Sequence, residues 1–364
     1  MSRYNENNFW DRSQYISKGF YPPNPMPSLN LIKIAKMAGV SRSTVSRVLN
    51  DHPNVSDDVR VRVQKIIRDT GYQPNLSARS LRSRRSNIIG LVLPQTMDTL
   101  FSDPYFPVLT QGVAQACNQY KKTLALFIEG RDSDVVQRVT QDGLLDGFVI
   151  QSGKLQESFS DKLIDSNIPF VVIGRPDIPG QSYIDVDNVK GAVLAVQHLQ
   201  RLGYRKIAHI TGDMDTFAGK DRLVGYRQAM QDSPLGLDEK LILEGDFGEE
   251  SAYLAAKSLA KQGVDAIFVG SDRMARSAIQ ALVEAGLRVP EDIGIIGYDD
   301  LSPAIAAHPM LTTVHQPVRE FGYKAVELLL EKLEDEETPI RQLIVDVELV
   351  IRDSCGVRQR SAAI

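Results

Sequence analysis

Seven short apolar runs, separated by amphipathic segments, constrain the fold of most of this chain. The runs are NIIGLVL, TLALFI, DGFVIQ, PFVVIG, KIAHIT, DAIFVG and IGIIGY, and helical periodicity covers residues 105–120, 156–166, 190–202, 249–261, 274–285 and 318–333. Continuous apolar strands that alternate with helices predict parallel sheets covered on both faces. Because seven strands are many for one compact sheet, we predict an α/β core of two doubly wound parallel-sheet subdomains. Ligands are expected where the carboxyl ends of the strands face each other.

A different pattern, three short amphipathic helices, precedes the first strand. Gly39 and Gly71 are suited to end the first and third helices, and Ser41 and Ser56 are suited to cap the second and third. The apolar positions are Leu31, Ile34, Ala35 and Ala38 in the first helix, Val45, Val48 and Leu49 in the second, and Val59, Val63, Ile66 and Ile67 in the third. These helices predict a small all-α head.

Composition divides the chain into a head, a core and connecting segments. The segment LSARSLRSRRS after the head is basic and has almost no apolar face, so it reads as a hinge that does not hold a helix alone. Residues 1–27 lack any period that could bury a face and read as a disordered arm. The predicted domains are the arm at 1–27, the head at 28–73, the hinge at 74–86, the core at 87–352 with crossings between subdomains near 187, 315 and 343, and a tail at 353–364.

Charge is distributed unevenly along the chain. Residues 28–86 carry twelve Lys and Arg against four Asp and Glu, whereas residues 87–364 carry 27 against 40. A cationic segment joined to an acidic body is the electrostatic footprint of a protein that binds a nucleic-acid backbone. Cys117 and Cys355 have no metal-ligand spacing, and no segment resembles a signal peptide or membrane span. We therefore expect a cytoplasmic protein without membrane association, disulfide, metal site or cofactor.

The second helix of the head has an exposed face that suits DNA. Arg42, Ser43, Ser46 and Arg47 lie opposite the apolar positions, and no carboxylate follows until Asp51. Side chains of this kind donate and accept hydrogen bonds at base edges without repelling phosphates. With the short link AGVS before it, the helix fits the second helix of a helix-turn-helix, which enters the major groove. The alternative from composition alone is a solvated helix surface with serines.

The residues themselves resemble one family. LIKIAKMAGVSRSTVSRVLN, the following VSDDVRVRVQKIIRDTGYQPNLSARSLRSRRSNIIGLVLP, and the later HLQRLGYRKIAHITG, DRLVGYRQAM, VPEDIGIIGYDDLSPAIAAHPMLTTVHQP and GYKAVELLLEKL are similar to the LacI/GalR family of bacterial transcription regulators. The resemblance implies a helix-turn-helix head and a periplasmic-binding-protein-like effector core. It also implies a homodimeric repressor that binds a palindromic operator in double-stranded DNA under the control of a small effector.

Matched positions imply roles for the DNA contacts. Arg42 and Ser43 resemble the variable pair that contacts bases, and Arg47 resembles the family's base-contacting arginine. Leu81 aligns with the leucine that the family wedges into the minor groove, within a hinge that becomes helical only on DNA. The full set of expected DNA-binding residues is Ser41, Arg42, Ser43, Thr44, Arg47, Asn50, Asn75, Ala78, Leu81 and Arg82.

The same matching predicts an effector cleft. Arg222 and Asp299 correspond to the family's cleft arginine and aspartate, which serve sugar hydroxyls as donor and acceptor. Where the family usually has Asn before Asp, this chain has Ser271, so ligand geometry does not transfer there. The expected effector-binding residues are Asp103, Tyr105, Phe106, Phe217, Arg222, Ser271, Asp272 and Asp299; Tyr105 and Phe106 have the alternative of starting a helix and packing inward. A sugar or sugar phosphate is the expected effector, and a purine is the alternative.

Two rival classes fit the sequence less well. An enzyme would need a reactive constellation, but the histidines are scattered and are interpreted as surface or strand-end residues, and no nucleophile elbow or phosphate loop occurs. The histidines are His52, His198, His209, His308 and His315. A solute-binding protein would need an export signal and no basic head. We therefore predict a regulator and not an enzyme.

Overall fold

The structure, a computed structural model, describes residues 29–49, 51–72, 85–128, 144–152, 166–176, 180–335 and 337–360. The chain divides into two compact units, Met1–Ser83 and Arg84–Ile364. The first unit contains the head. The second contains two subdomains, each a β-sheet with helices packed on it, which we call lobe 1 and lobe 2.

Three helices form the head, as predicted. They are α1 (Leu31–Ala38), α2 (Arg42–Leu49) and α3 (Asp57–Thr70). Gly39 and Gly71 both adopt the left-handed conformation at the ends of α1 and α3, with φ of 65° and 63°. The apolar positions converge on one small core whose buried members are Ile34, Ala35, Ala38, Val45, Val48, Val63 and Tyr72.

Lobe 1 is built on a six-stranded parallel sheet in the order β11-β5-β4-β3-β1-β2. Its strands are β1 (Ile88–Leu93), β2 (Thr123–Ile128), β3 (Gly147–Gln151), β4 (Phe170–Ile173), β5 (Tyr183–Val186) and β11 (Gln342–Val345). Its described helices are α4 (Met97–Ser102), α5 (Tyr105–Gln119) and α11 (Val318–Glu334). The central strands are buried along nearly their whole length, as expected for a sheet covered on both faces.

Lobe 2 repeats this plan with the strand order β12-β10-β9-β8-β6-β7, in which the edge strand β12 alone pairs antiparallel. Its strands are β6 (Ile207–Asp213), β7 (Ile242–Gly245), β8 (Ala266–Val269), β9 (Gly294–Asp299), β10 (Thr312–His315) and β12 (Glu348–Val350). Its helices are α6 (Asn188–Arg201), α7 (Phe217–Gln231), α8 (Glu249–Lys261), α9 (Asp272–Glu284), α10 (Ser302–Ala306) and α12 (Val357–Arg360), with a 3-10 turn at Glu239–Leu241. The predicted fold class, a helix-turn-helix head with two doubly wound subdomains, is confirmed.

The chain passes between the lobes three times. It leaves lobe 1 after β5 and enters α6 at Asn188, returns between β10 and α11, and crosses again between β11 and β12. All three passages are short, and the pairing of His315 with Glu348 brings the second passage beside the third. Asp187 donates its N–H to the carbonyl of Val345 at 3.3 Å, which ties the first passage to the third.

Lobe 1 contains a close helix contact and an anchor for the start of the core. α5 and α11 pack so tightly that a Cβ added at Gly112 would lie 1.9 Å from a carbonyl oxygen of α11, and one added at Gly322 would lie 2.3 Å from a carbonyl of α5. Asp146 accepts hydrogen bonds from the backbone N–H groups of Ser86 and Asn87 and pairs with Lys122 at 3.1 Å. These contacts keep the pKa of Asp146 below its usual value despite its burial.

Some expectations from the sequence need correction. His209, expected at the surface or a strand end, is fully buried in β6 between the rings of Tyr226 and Phe268. Burial lowers the pKa of His209 to about 4, so the ring is neutral at physiological pH. Ser354 and Cys355, assigned to the tail, are fully buried in lobe 2, and Ser354 bonds to the backbone of Ile295.

No described helix is long and apolar enough to cross a membrane. No group of three His, Cys, Asp or Glu side chains with the geometry of a metal site occurs in the described part of the chain.

Candidate functional site

The exposed face of α2 is polar and cationic. Val45 and Val48 are buried against α1 and α3, which turns Arg42, Ser43 and Arg47 to the solvent. No carboxylate lies in the first turn of α2, and no ion pair among the described residues involves either arginine. The face therefore offers guanidinium and hydroxyl donors to an external partner.

Ser41 organises the N-terminus of α2. Its Oγ accepts a hydrogen bond from the backbone N–H of Thr44 at 3.1 Å and bonds to the hydroxyls of Ser43 and Thr44 at 2.7 and 2.8 Å. This is the N-cap arrangement that the sequence predicts. The hydroxyls consequently lie together at the helix end that carries the positive end of the helix dipole.

The structure brings together part of the predicted DNA-binding set. Ser41, Arg42, Ser43, Thr44 and Arg47 all lie on the first turns of α2 or just before it. Five other residues predicted to contact DNA lie outside the described residues, namely Asn50, Asn75, Ala78, Leu81 and Arg82. Their roles stay predictions.

A second polar cluster, buried at the carboxyl ends of the core strands, is centred on Arg222. This side chain of α7 is 4% exposed, donates from Nε to Asn188 Oδ1 at 2.9 Å and from Nη1 to the carbonyl of Gly270 at 2.5 Å. Its guanidinium carbon lies 3.6 Å from the ring centroid of Tyr298. A buried guanidinium that is stacked and hydrogen-bonded in this way is fixed in orientation.

Asp299 faces Arg222 from the end of β9. Its Oδ1 lies 3.6 Å from Arg222 Nη1 and accepts a hydrogen bond from Gln316 Nε2 at 2.6 Å. The backbone of Asp299 has φ of 114°, a strained conformation for a residue with a side chain and one that is typical of functional sites. Burial raises the pKa of Asp299 to about 7, although the charge of Arg222 acts in the opposite direction.

Ser271 and Asp272 have contacts within the protein. Ser271 caps α9 by accepting from the N–H of Met274 at 3.3 Å. Asp272 is 1% exposed, accepts from the hydroxyl of Thr313 at 2.5 Å and from the N–H of Leu301 at 3.0 Å, and so fixes the chain that follows β9. Burial and the charge of Asp299 raise the pKa of Asp272 well above its usual value.

The predicted effector-binding residues at and just before the start of α5 lie in different environments. Phe106 is 6% exposed and packs in the core of lobe 1, which is the alternative that the sequence left open for it. Tyr105 is half-buried, and its burial together with the charges of Asp185 and Asp299 raises the pKa of its hydroxyl. Asp103 accepts from the N–H of Tyr105 at 3.0 Å, and burial raises its pKa.

Phe217 lies at the first position of α7, next to the cluster. The guanidinium carbon of Arg175 lies 4.3 Å from the ring centroid of Phe217, and Lys220 Nζ lies 5.5 Å from it. Arg175 also pairs with Asp221 at 2.6 Å. Cations therefore contact the ring of Phe217, which the sequence predicts to be an effector-binding residue.

Sequence reasoning missed several residues of this cluster. Asp185 at the end of β5 is 9% exposed, and burial raises its pKa to about 6. Asn188 follows at the start of α6, Gln316 follows β10, and the ring of Phe247 lies 5.7 Å from the guanidinium carbon of Arg222. A signal existed for three of these four, because Asp185, Asn188 and Gln316 are polar residues at strand ends on the lobe boundary.

A helix-turn-helix head joined to a two-lobed core with a buried polar cluster at its strand ends defines a class, the ligand-controlled DNA-binding regulators. Two family models match the chain. Residues 30–75 match the bacterial regulatory proteins of the lacI family, and residues 196–355 match the periplasmic binding protein-like domain.

Similar proteins agree with these matches over nearly the whole chain. The HTH-type transcriptional regulator CelR of Thermobifida fusca is 35% identical over 335 residues, which cover 90% of this chain and 98% of that protein. The HTH-type transcriptional repressor PurR of Vibrio vulnificus (strain CMCP6) is 33% identical over 329 residues, which cover 88% and 97%. The chain belongs to the lacI family of bacterial regulatory proteins and is a DNA-binding transcription regulator.

Solved structures show the same architecture. The CelR–cellobiose complex superimposes with a TM-score of 0.71 at 34% identity, covering 90% of this chain and 99% of that chain. The lac repressor dimer bound to operator and the anti-inducer ONPF superimposes with a TM-score of 0.77 at 26% identity and the same coverage. The predicted family and the predicted regulatory function are confirmed.

Proposed function

We propose that this regulator is a homodimeric repressor that reads its operator with α2. In this proposal Arg42, Ser43 and Arg47 contact base edges, and the hydroxyls of Ser41 and Thr44 contact phosphates. The observation that carries it is the exposed face of α2, which presents cationic and hydroxyl side chains without any carboxylate. Two-fold pairing lets two such helices meet successive major grooves.

Selection of bound sites from random duplex DNA tests this reading. The expected product is a palindrome of two half-sites with a flexible step at its centre, because the hinge is proposed to bend the duplex there. Recovery of no shared sequence from the wild-type protein would contradict operator recognition by this head.

Leu81, outside the described residues, has a proposed role as the apolar wedge in the minor groove. Leu81→Ala is expected to weaken binding to the selected site far more than binding to random DNA, since only specific binding gains the contacts that the bend provides. Titration of both duplexes measures the difference, and equal losses on the two would refute the wedge.

The effector class that fits the buried cluster best is a neutral sugar. Asp185 and Asp299 place two acceptor groups beside the Arg222 guanidinium, which already donates within the protein, and Asp103 adds a third carboxyl whose charge reaches Asp299. Carboxylates accept hydrogen bonds from hydroxyl groups but repel a phosphate group, so the cluster favours a sugar over a sugar phosphate. The relative CelR, whose solved complex contains cellobiose, supports the same class.

Calorimetry with cellobiose, glucose, glucose 6-phosphate and guanine tests the effector class. A neutral sugar is expected to bind most tightly, and Asp299→Asn is expected to weaken it because the amide replaces an acceptor with a donor at one position. Asp232→Asn, an exposed change at the end of α7, is the matched control and should bind like the wild type. Tight binding of guanine with no binding of sugars would favour the purine alternative, which the PurR relatives represent.

The effector is proposed to act by changing how the two lobes meet, and through them the hinge. Gel-shift titrations of the selected operator with and without the bound sugar measure the direction of the effect. An operator affinity that no bound ligand changes would remove the allosteric part of the proposal. A regulator of this kind acts in the cytoplasm, where the DNA is, and we assign it no catalytic activity.

A further inference from the structure

Arg175 joins the two lobes across the cleft. It follows β4 in lobe 1, yet its Nη2 lies 2.6 Å from Asp221 Oδ1 on α7 of lobe 2. Its guanidinium carbon lies 4.3 Å from the ring centroid of Phe217, also on α7. Because Phe217 and Asp221 are four residues apart on one helix, they form a single face that receives the guanidinium with both a ring and a carboxylate.

This contact lies beside the effector cluster. Asp221 directly precedes Arg222, whose side chain is at the centre of the cluster. The charge of Asp221 raises the pKa of Asp185 in lobe 1, and the charge of Arg175 lowers it. The contact is thus formed by residues at the rim of the proposed effector site and not by residues remote from it.

The burial of the pair gives it more weight than an ordinary surface ion pair. The side chain of Asp221 is 15% exposed and that of Arg175 is 40% exposed, so the carboxylate is largely withdrawn from water. Arg227, two turns further along α7, pairs with Glu239 at 2.8 Å with side chains 40% and 59% exposed. That second pair lies within lobe 2 and therefore does not depend on how the lobes meet.

We infer that Arg175 is a positioning residue, a latch that holds lobe 1 against α7 and stabilises the closed arrangement of the two lobes. A contact made only when two bodies are together adds its free energy to the closed state. The inference rests on the proposed function for its consequence, since an effector that binds between closed lobes gains affinity in proportion to the closed fraction.

Distance measurement between the lobes tests the latch without any effector. Spin labels on Asp98→Cys in α4 and Glu250→Cys in α8, both exposed positions near the strand ends, report the separation of lobe 1 from lobe 2 in the full chain. The native thiols are buried and do not compete for the label. Arg175→Ala is expected to raise the ratio of long to short distances roughly fivefold, as loss of a partly buried ion pair would.

Matched variants separate a latch from a general loss of stability. Asp221→Ala removes the ion pair but leaves the contact between Arg175 and Phe217, so it should give a somewhat smaller rise, and the double variant should show no more than Arg175→Ala because that change already removes both contacts. Arg227→Ala removes an ion pair of similar length within lobe 2 and should leave the distances unchanged. Arg175→Lys keeps the charge but loses the flat stacked group, so an intermediate rise is expected.

Three outcomes would overturn the inference. They are unchanged distances in Arg175→Ala and Asp221→Ala, effects of the two changes that simply add, or an equal rise in Arg227→Ala. Because no effector is present, these results are independent of calorimetry. A protein that shows the latch but binds no sugar would contradict the proposed effector class alone.

Discussion

Arginines of the head and of the core show two opposite ways to hold a guanidinium. Arg42 and Arg47 project from α2 into solvent and form no ion pair among the described residues. Arg222 is 4% exposed, with its donors directed at Asn188, Gly270 and Asp299. An exposed arginine keeps its hydrogen bonds for an outside partner at little cost, whereas a buried one must be satisfied within the fold before a ligand arrives.

The contrast between exposed and buried arginines predicts how a substitution affects each region. Removing an exposed arginine takes away contacts to DNA but leaves the fold intact, because the side chain makes no buried contact within the protein. Removing the buried arginine leaves its hydrogen-bond acceptors buried without a donor. Substitution of an arginine in the head should therefore weaken DNA binding without lowering the free energy of unfolding. Substitution of the buried arginine in the cleft should lower the free energy of unfolding as well.

The largest effect is expected for Arg222→Ala. The change leaves Asp299 buried without its counter-charge and Asn188 and Gly270 without a donor, so the free energy of unfolding should fall by about 3–5 kcal/mol. Urea unfolding followed by circular dichroism measures the loss. Arg227→Ala on the same helix removes an exposed ion pair and should cost at most about 1 kcal/mol. Equal costs for the two variants would contradict the comparison.

Stability should also decline as the pH rises, because of the cleft carboxyls. The pKa of Asp299 is about 7 in the folded protein and about 4 in an unfolded chain. The folded state therefore binds the proton more tightly, and the stability that this gives is complete below pH 4 and lost as the pH rises through 7. The slope is at most about 1.4 kcal/mol per pH unit for one proton. Asp185, with a pKa of about 6, shifts in the same direction.

Asp299→Asn should reduce that pH dependence, since an amide does not titrate. Unfolding measured at pH 5, 6, 7 and 8 should give a flatter profile, with the remaining slope from Asp103, Asp185 and Asp272, whose pKa values burial also raises. Asp292 is the control because it lies at an exposed position and hydrogen bonds from Arg288 lower its pKa to about 2, in the direction opposite to the shift of Asp299. Asp292→Asn should leave the decline between pH 4 and 7 in place, and a decline that persists unchanged in Asp299→Asn would show that another group causes it.

Sequence patterns predict the head and most strands because these depend on local periodicity. Val45 and Val48 recur at helical spacing, and the seven apolar runs became seven strands. β10 was missed because Thr312 and Thr313 look polar, although both are fully buried with their hydroxyls bonded to Arg352 and Asp272. The edge strands β7, β11 and β12 were missed because they are short and half-exposed, which leaves no long apolar run.

The cleft was only partly predictable, since its members come from distant parts of the chain. Arg222 and Asp299 were found by resemblance to a family and not by any local pattern. Arg175 and Asp221 lie 46 positions apart in different lobes, and nothing near either residue indicates the partner. Contacts that exist only after two lobes meet leave no periodic signal in the sequence.

A smaller effect, confined to DNA binding, is expected for Arg47→Ala. Loss of a bidentate contact to a guanine edge should weaken operator binding by about 1–3 kcal/mol, while unfolding stays within about 0.5 kcal/mol of the wild type. Titration of the selected operator, beside unfolding of the same preparation, measures both. Arg60→Ala is a control in the same head, because Arg60 pairs with Asp51 at 2.9 Å and should affect stability more than specificity. A stability loss in Arg47→Ala as large as the loss of binding would break the contrast with the cleft.

The smallest expected effect distinguishes two serines that the sequence treats alike. Ser41 and Ser56 both precede helices, but only Ser41 accepts a hydrogen bond from its helix, from Thr44 N–H, whereas Ser56 makes no side-chain cap bond. Ser41→Ala should therefore cost about 1 kcal/mol, which lowers the hydrogen-exchange protection of the first amides of α2 about fivefold. Ser56→Ala should change the protection of α3 much less. Equal losses would mean that the hydroxyl of Ser41 does not hold α2 in place, and the arrangement of its DNA-facing side chains would need another explanation.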